Sequence, residues 1–394
     1  MNLAFCDSFD AGTANSWTRS GALDGSVWGV SRTNTIDIDA NGWMPVAPDG
    51  CGSAKAAPPN DVQVCNGRLV EAVNDGGGQS TLAMYVKQPF DITGRTGTVV
   101  FDVSADSEGV HAAWPEFWWT DQPVPAPHGH LSSQSPYAQN SFGFTLDDDR
   151  CGPGLTTVNA MKISANYQIS DIDYTRVDCI KKGSATGDLN HFEVRISQNH
   201  VEVWASDAGS TTVRKIAYAD HTLPLSRGVI WIEDVHYNAN KFNTQGTHTF
   251  AWDNVGFDGP TPYRDLTFDV PDKATPGDNG AINLGYYLDQ SPASTTVTAA
   301  GVSWLQTPTK QYIGFNWYAK DNKVPSIRVN GGTWHDTPWP FDGEVYAWRT
   351  IAVPVALSEL HAGDNTIEFK NNNPTEHAVI ANINVILIAA APVP

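Results

Sequence analysis

Apolar and polar residues alternate along this chain in short runs. Gly97-Thr-Val-Val-Phe-Asp-Val103, His191-Phe-Glu-Val-Arg-Ile196, His200-Val-Glu-Val-Trp204 and Gly228-Val-Ile-Trp-Ile-Glu233 each carry the two-residue period of a half-buried strand. Gly, Asn, Asp and Pro separate the runs, and no window holds a long helical period. Such strands, repeated over the first 258 residues, predict an antiparallel sandwich or jelly roll. The run Thr247 to Phe257 then ends in Gly259-Pro-Thr-Pro-Tyr-Arg264, a turn-rich stretch that reads as a linker over 259–264. Beyond it the pattern resumes on a smaller scale: Asp265 to Val270, Thr295 to Thr298, Tyr312 to Tyr318, Ser326 to Asn330, Arg349 to Val353, Asn365 to Phe369 and a terminal run from Ala378. The expectation is an all-β chain, with a large domain over 1–258 and a smaller β-sandwich over 265–394. No tandem repeat relates the two parts.

Composition supports this and narrows the partners. The 394 residues are long enough for two cores, only 17% are charged, and 34 Gly and 25 Pro suit a turn-rich fold. The formal charge is −19, with no Lys/Arg-rich run to follow a phosphate backbone, which argues against nucleic acid as a partner. No stretch approaches the roughly 18 apolar residues of a membrane span; the terminal run is interrupted by Asn382 and Asn384. Of the five cysteines, Cys51 with Cys65 and Cys151 with Cys179 flank loops and suggest two local disulfides, leaving Cys6 unpaired. Disulfides imply export, although the opening Met1-Asn-Leu-Ala-Phe-Cys6 has no signal-peptide character. Oligomeric state is not legible.

Three motifs carry a family likeness. Leu3-Ala-Phe-Cys-Asp-Ser-Phe9 followed by Leu23-Asp-Gly-Ser-Val-Trp28, then Ala113-Trp-Pro-Glu-Phe-Trp-Trp119, then Trp252-Asp-Asn-Val-Gly-Phe257 resemble, in order and spacing, segments of the concanavalin A-like lectin/glucanase domains and of family-16 type glycoside hydrolases. The resemblance implies a double-sheet jelly roll with a carbohydrate cleft on its concave face. One departure stands out. Those hydrolases carry Glu-x-Asp-x-x-Glu after the Trp-Pro strand, supplying nucleophile and acid/base; no such motif occurs in this chain. The C-terminal part, through Val329-Asn-Gly331 and Ala362-Gly-Asp-Asn-Thr-Ile-Glu-Phe369, resembles galactose-binding-type jelly rolls that serve as carbohydrate-binding modules. The same resemblance implies a structural Ca²⁺ between first and last strands, with Asp7 and Asp258 as the positions to inspect; hydrogen-bonded turn aspartates are the alternative. No other cofactor is required.

Candidate chemistry concentrates on Trp114 to Trp119. Alternation puts Trp114, Glu116 and Trp118 on one face, and Pro115, Phe117 and Trp119 on the other. A carboxyl between indoles can be kept protonated as a general acid, with Trp114, Trp118 and Trp119 expected as sugar platforms, or be a compensated core group. The loop after it offers Asp121, and His128 with His130, which could bind a metal, supply a general base or meet substrate at the cleft rim; two histidines are too few for a metal site, and a rigid loop with solvated imidazoles is the plainer reading. Further on, Glu233, Asp234 and His236 end an apolar strand, where Asp234 could orient His236 as a base or both could serve a structural network. Asp171, Asp173 and Asp147 are further acids, more often solvated than catalytic. In the C-terminal part Trp334 and Trp339 mark an aromatic loop that suits either sugar stacking or a small core.

The leading expectation is a secreted protein acting on a polysaccharide or oligosaccharide as a glycoside hydrolase, with Glu116 the acid and Asp121 or Glu233 the second carboxylate. Two others stand beside it: a non-catalytic glycan-binding or cell-surface protein on the same fold, and a polysaccharide lyase using Tyr137 or His130. The last would need cations that this acidic chain scarcely offers.

Overall fold

The computed structural model describes residues 3–9, 27–34, 44–45, 62–75, 80–87, 89–104, 113–120, 141–147, 150–165, 168–222, 227–236, 246–259, 266–270, 282–284, 293–319, 325–337, 347–373 and 378–388. Among them the helical content is one 3₁₀ turn, Leu357–Glu359, and the rest of the regular structure is strand. Among the described residues no helix is long and apolar enough to cross a membrane.

Two large antiparallel sheets form the first body, the double-sheet jelly-roll sandwich that the alternation and the resemblance imply. The ten-stranded sheet runs in the order Tyr174–Arg176, Val213–Asp220, His200–Ser206, Asn190–Ile196, Gly97–Val103, Gly246–Phe257, Arg68–Asp75, Met44–Pro45, with Phe5–Asp7 added to Gly246–Phe257 and Val62–Cys65 to Arg68–Asp75. The nine-stranded sheet runs Gln168–Asp171, Leu155–Ala165, Ser141–Asp147, Ala113–Thr120, Arg227–His236, Ser80–Val86, Trp28–Asn34, with two short strands at its margins. Hairpin chemistry is local where it is tight: Asn66 and Gly67 both adopt positive φ (53° and 76°) to join Val62–Cys65 to Arg68–Asp75, a two-residue turn that suits this pair of residues.

The core lies between the two sheets, and period two decides what enters it. From Ala113–Thr120, Phe117 and Trp119 point inward; Phe101, Phe192 and Trp252 answer from the opposite sheet, with ring centroids of Phe101 5.5 Å from Phe117, 5.3 Å from Phe192 and 5.5 Å from Trp252. Trp119 packs at 5.5 Å from Phe257 and is fully buried, so it is an interior residue and not a sugar platform, a correction to the sequence expectation. Its indole lies over Gly228 of the neighbouring strand, in space that only a glycine leaves free, since a Cβ there would lie 1.8 Å from it.

The second body has the same plan on a smaller scale. A five-stranded sheet in the order Leu266–Asp269, Ala378–Ile388, Lys310–Ala319, Ala347–Pro354, with Ile282–Leu284 also on Ala378–Ile388, faces a four-stranded sheet of Ser294–Val302, Gly363–Lys370, Ser326–Val329 and His335–Asp336. Phe315 meets Phe369 edge-on at 5.0 Å in a core separate from the first, where Trp317 is also buried. The expected linker lies outside the described residues from position 260. Cys151 and Cys179 are bonded, with Cα atoms 6.1 Å apart, and Cys6 is free. Cys65 is disulfide-bonded too, while its expected partner Cys51 lies outside the described residues.

Packing at Gly228 yields a test. Gly228→Ala forces overpacking in a dense core and lowers stability by about 1–3 kcal/mol, read as a lower urea midpoint. Gly152→Ala, where a Cβ meets nothing within 4 Å, leaves the midpoint in place. Equal midpoints for both variants would contradict the packing described for Trp119.

Candidate functional site

The outer face of the nine-stranded sheet, turned away from the first core, carries the candidate site. Register builds it in rows. Across the middle of the sheet Thr145 lies opposite Glu116, Glu116 opposite Glu233, and Glu233 opposite Ala83. The adjacent row reads Gly143, Trp118, Trp231, Tyr85, Gly29, each opposite the next. On the other side of the acids lies Trp114 opposite Val235. Two carboxyls thus face one another on neighbouring strands, between an aromatic row and a third indole.

The aromatic row is shaped by glycine at both ends. A Cβ on Gly143 would sit 2.3 Å from the Trp118 ring, and one on Gly29 would sit 2.1 Å from that of Tyr85. Both rings therefore lie down over the neighbouring strand. Tyr85 and Trp231 stack with centroids 4.0 Å apart. Trp118, Trp231, Tyr85, Ala83 and Val229 make a small apolar cluster of their own on this outer face.

Hydrogen bonding treats the two acids differently. Trp114 Nε1 donates to Glu116 Oε1 at 2.8 Å and Trp118 Nε1 donates to Glu116 Oε2 at 3.0 Å, so both oxygens act as acceptors, as suits a carboxylate. Glu233 is fully buried, and neither of its oxygens has a hydrogen-bond partner among the described residues. Burial pushes its carboxyl well above the usual range, and the negative charges of Glu116 and Glu71 push it further. The sequence reading expects the general acid at Glu116; in the structure Glu116 accepts two indole N–H bonds, and the carboxyl raised by burial is that of Glu233.

Two more buried polar atoms beside Glu233 lack partners among the described residues: Thr145 Oγ1, one position along the acid row beyond Glu116, and Trp231 Nε1, in the adjacent row. Single unpaired indole N–H groups also occur in the cores, at Trp119 and Trp317. What sets this face apart is the grouping of a hydroxyl, an indole N–H and a carboxyl at neighbouring register positions. Such a set can both donate to and accept from a hydroxylated ligand or ordered water.

Other predicted residues fall elsewhere. Asp234 belongs to the opposite side of its strand: its register partners are Leu82 and Pro115, and Leu82 lies in the central core, so Asp234 does not share the face of Glu233. His236 continues that strand opposite Ala113 and Ser80; its side chain, like Asp121, His128, His130, Tyr137 and Trp339, lies outside the described residues. Trp334 sits in the second body, 36% exposed, with the Arg328 guanidinium 4.6 Å above its ring and Lys370 Nζ at 5.9 Å. Asp171 is paired with Lys162, and Asp147 accepts from Asn159 at 3.3 Å.

The calcium expectation at Asp7 and Asp258 does not fit the donors around them. Asp7 Oδ1 accepts the Phe9 N–H and Oδ2 accepts Trp28 Nε1, both at 2.9 Å. Asp258 Oδ1 accepts Thr98 N–H at 2.8 Å and Arg95 Nη2 at 2.7 Å, and a guanidinium repels a cation there. Among the described residues no group of three or more His, Cys, Asp or Glu is arranged to hold a metal. These are hydrogen-bonded turn aspartates.

A polar network that the sequence did not single out lies on the outer face of the ten-stranded sheet. His191 Nδ1 meets Asp102 Oδ1 at 2.6 Å, Asn254 donates to Asp102 Oδ2 at 2.6 Å, and the bond to Asp102 raises the imidazole's pKa. His191 and Asp102 are cross-strand partners separated by 89 positions in sequence, which no local pattern announces.

No protein-family model and no curated protein matches the chain. Among solved structures it is similar to LamAcat from Zobellia galactanivorans, at 12% identity over 65% of this chain and 97% of that one with a TM-score of 0.40. It is similar to SCLam, a non-specific endo-β-1,3(4)-glucanase from family GH16, at 12% identity over 66% and 91% with a TM-score of 0.38. It is also similar to lectin I-B4 of Griffonia simplicifolia, at 12% identity over 51% and 91% with a TM-score of 0.32. An enzyme and a lectin appear together at these scores, and no residue role is transferred from either.

The state of Glu233 makes stability depend on pH. Its folded pKa is raised above the ordinary value of 4.5, so its contribution is whole below about that pH and is lost as pH rises towards the folded value. Replacing it with the neutral isostere removes the loss. Glu233→Gln is expected to flatten the fall in urea midpoint above pH 4.5, a fall of at most about 1.4 kcal/mol per pH unit for one proton. An unchanged slope would mean that Glu233 ionises as freely folded as unfolded.

Proposed function

We propose that this is an exported, two-domain polysaccharide-active protein, with domains over 1–258 and 265–394, whose larger domain hydrolyses a glycosidic bond. The observation that carries the reading is the Glu116–Glu233 pair: two carboxyls opposite one another in register, one accepting two indole N–H bonds, the other buried without a partner among the described residues and with a raised pKa. Two titratable groups pushed apart in this way fit the division of labour that glycoside cleavage needs. In that reading protonated Glu233 gives its proton to the leaving oxygen as the glycosidic C–O bond breaks and the Glu116 carboxylate bonds to the sugar carbon; water then displaces Glu116 from that carbon, and the water's proton returns to Glu233. Side chains directly opposite on antiparallel strands have Cβ atoms about 4.5–5.5 Å apart. That is nearer the spacing of retaining enzymes, about 5–5.5 Å between carboxyls, than the wider inverting one. The chemistry calls for no metal or organic cofactor.

Burial of both carboxyls favours a second reading, a glycan-binding protein in which the pair no longer meets substrate. One experiment separates the two. Neutral and acidic polysaccharides are screened for reducing-end release and for binding, with wild type, Glu116→Gln and Glu233→Gln side by side. The hydrolase reading expects release that falls about 10²–10⁴-fold in each variant, with binding retained. Release unaffected by either substitution removes the pair from catalysis, and binding without release by the wild type selects the second reading.

A further inference from the structure

The terminal strand Ala378–Ile388 has two different faces. Ile383, Val385 and Leu387 join the smaller core. Asn384 and Ile386 alternate with them and are nevertheless buried, at 4% and 1% exposure. The strand packs against Trp28–Asn34 at the margin of the nine-stranded sheet. There the Tyr85 hydroxyl donates to Asn384 Oδ1 at 3.3 Å, across 299 positions of sequence. An amide in an apolar strand is costly to bury unless it is hydrogen-bonded, and this contact supplies one of its bonds.

Tyr85 is not an isolated surface ring. It lies over Gly29, where no Cβ could stand, and stacks on Trp231 at 4.0 Å. Trp231 is opposite Trp118 in register, and Trp118 Nε1 holds Glu116 Oε2 at 3.0 Å. A continuous row of packed rings thus runs from the second body to the acid pair. A packed row of this kind transmits displacement, because a close-packed interior offers the rings little free volume to absorb it.

We propose that Asn384 is a positioning residue for the acid site: it anchors the Tyr85 hydroxyl, and through the ring row it holds Trp118 and Glu116. The smaller sandwich is then part of this site and not a detached sugar-binding module. The inference rests on reading Glu116 and Glu233 as the functional pair; the link from Asn384 to the rings stands without it.

Two ligand-free measurements on the full chain test it. The first is the infrared C=O stretch of protonated Glu233, assigned by its disappearance in Glu233→Gln. Asn384→Ala and Tyr85→Phe are expected to shift this band equally, and the double variant no further. Asn384→Asp, which keeps an oxygen acceptor for Tyr85, restores it, and Trp334→Ala, outside the row, leaves it alone. The second is near-ultraviolet circular dichroism, in which Asn384→Ala alters the tryptophan bands and Asn384→Asp returns them. A band unmoved by Asn384→Ala, or additive shifts in the double variant, overturns the positioning role. Absence of the protonated band in the wild type removes the acid reading instead. The dichroism then decides the Asn384 link alone, and an Asn384→Ala spectrum identical to wild type refutes it.

Discussion

Two carboxyl groups opposite each other on adjacent strands, both without access to water, cannot both carry charge at modest cost. Like charges directly across a strand pair repel, and burial strengthens the repulsion by removing the solvent that would screen it. The face around Glu116 and Glu233 is organised by that constraint. Glu116 has two indole N–H donors aimed at its two oxygens; Glu233 has Ala83 opposite it on the far strand and, among the described residues, none of the donors that would support a charge. The asymmetry breaks what would otherwise be a degenerate pair: burial raises the Glu233 carboxyl above its ordinary range, while Glu116 has its donors.

Everything needed for that asymmetry comes from the two-residue period of one strand. Ala113–Thr120 sends Phe117 and Trp119 into the sandwich core, where Phe101 and Phe257 hold them, and the same alternation sends Trp114, Glu116 and Trp118 outward. A one-residue slip would put Glu116 among the core rings and Trp119 outside, so core packing fixes the register of the site. The glycines complete the arrangement. Gly228 makes room for Trp119 on the inner face, while Gly143 and Gly29 make room for Trp118 and Tyr85 on the outer one. Antiparallel sheets usually leave one face to water. Here the outer face is closed at Glu116, Trp118, Trp231 and Tyr85, and the contact from Asn384 is one reason.

Much of the fold was legible because alternation is a local property. The runs Gly97 to Val103, Asn365 to Phe369 and Thr247 to Phe257 read as strands and lie within strands, and Cys151 with Cys179 was readable from their flanking of one loop. Faces were legible for the same reason, including the shared face of Glu116 and Trp118 and the opposite one of Phe117. Register between distant strands was not. Nothing near Glu116 says that residue 233 will lie opposite it, or that Asp102 will meet His191, because those pairings are chosen by the packing of whole sheets. A platform role for Trp119 runs against its own parity, which turns it inward with Phe117, because a cluster of tryptophans in sequence does not fix which face each ring takes. At Asp7 and Asp258 the sequence leaves both readings open, because a turn aspartate and a cation ligand look alike until their donors are seen; Phe9 and Trp28 donate to Asp7, and Thr98 and Arg95 to Asp258 Oδ1.

The missing Glu-x-Asp-x-x-Glu motif takes on a different meaning once register is known. Acids at positions i and i+2 of one strand are about 6.6–6.8 Å apart along the backbone, because each residue advances about 3.3–3.4 Å. Acids opposite one another on two strands are closer, about 4.5–5.5 Å between Cβ atoms. Taking the second carboxyl from the neighbouring strand therefore shortens the pair and raises the cost of ionising both. A pair strung along one strand can tune its two members by their separate surroundings. A cross-strand pair is coupled from the start, and its second member stays protonated unless something donates to it. Glu233 stands in that position, with no donor among the described residues; Trp231 lies two positions back on its own strand, and Thr145 lies beyond Glu116 in the same row. Donors brought by a bound hydroxylated ligand would change the balance at Glu233 more than at Glu116, whose oxygens already have theirs.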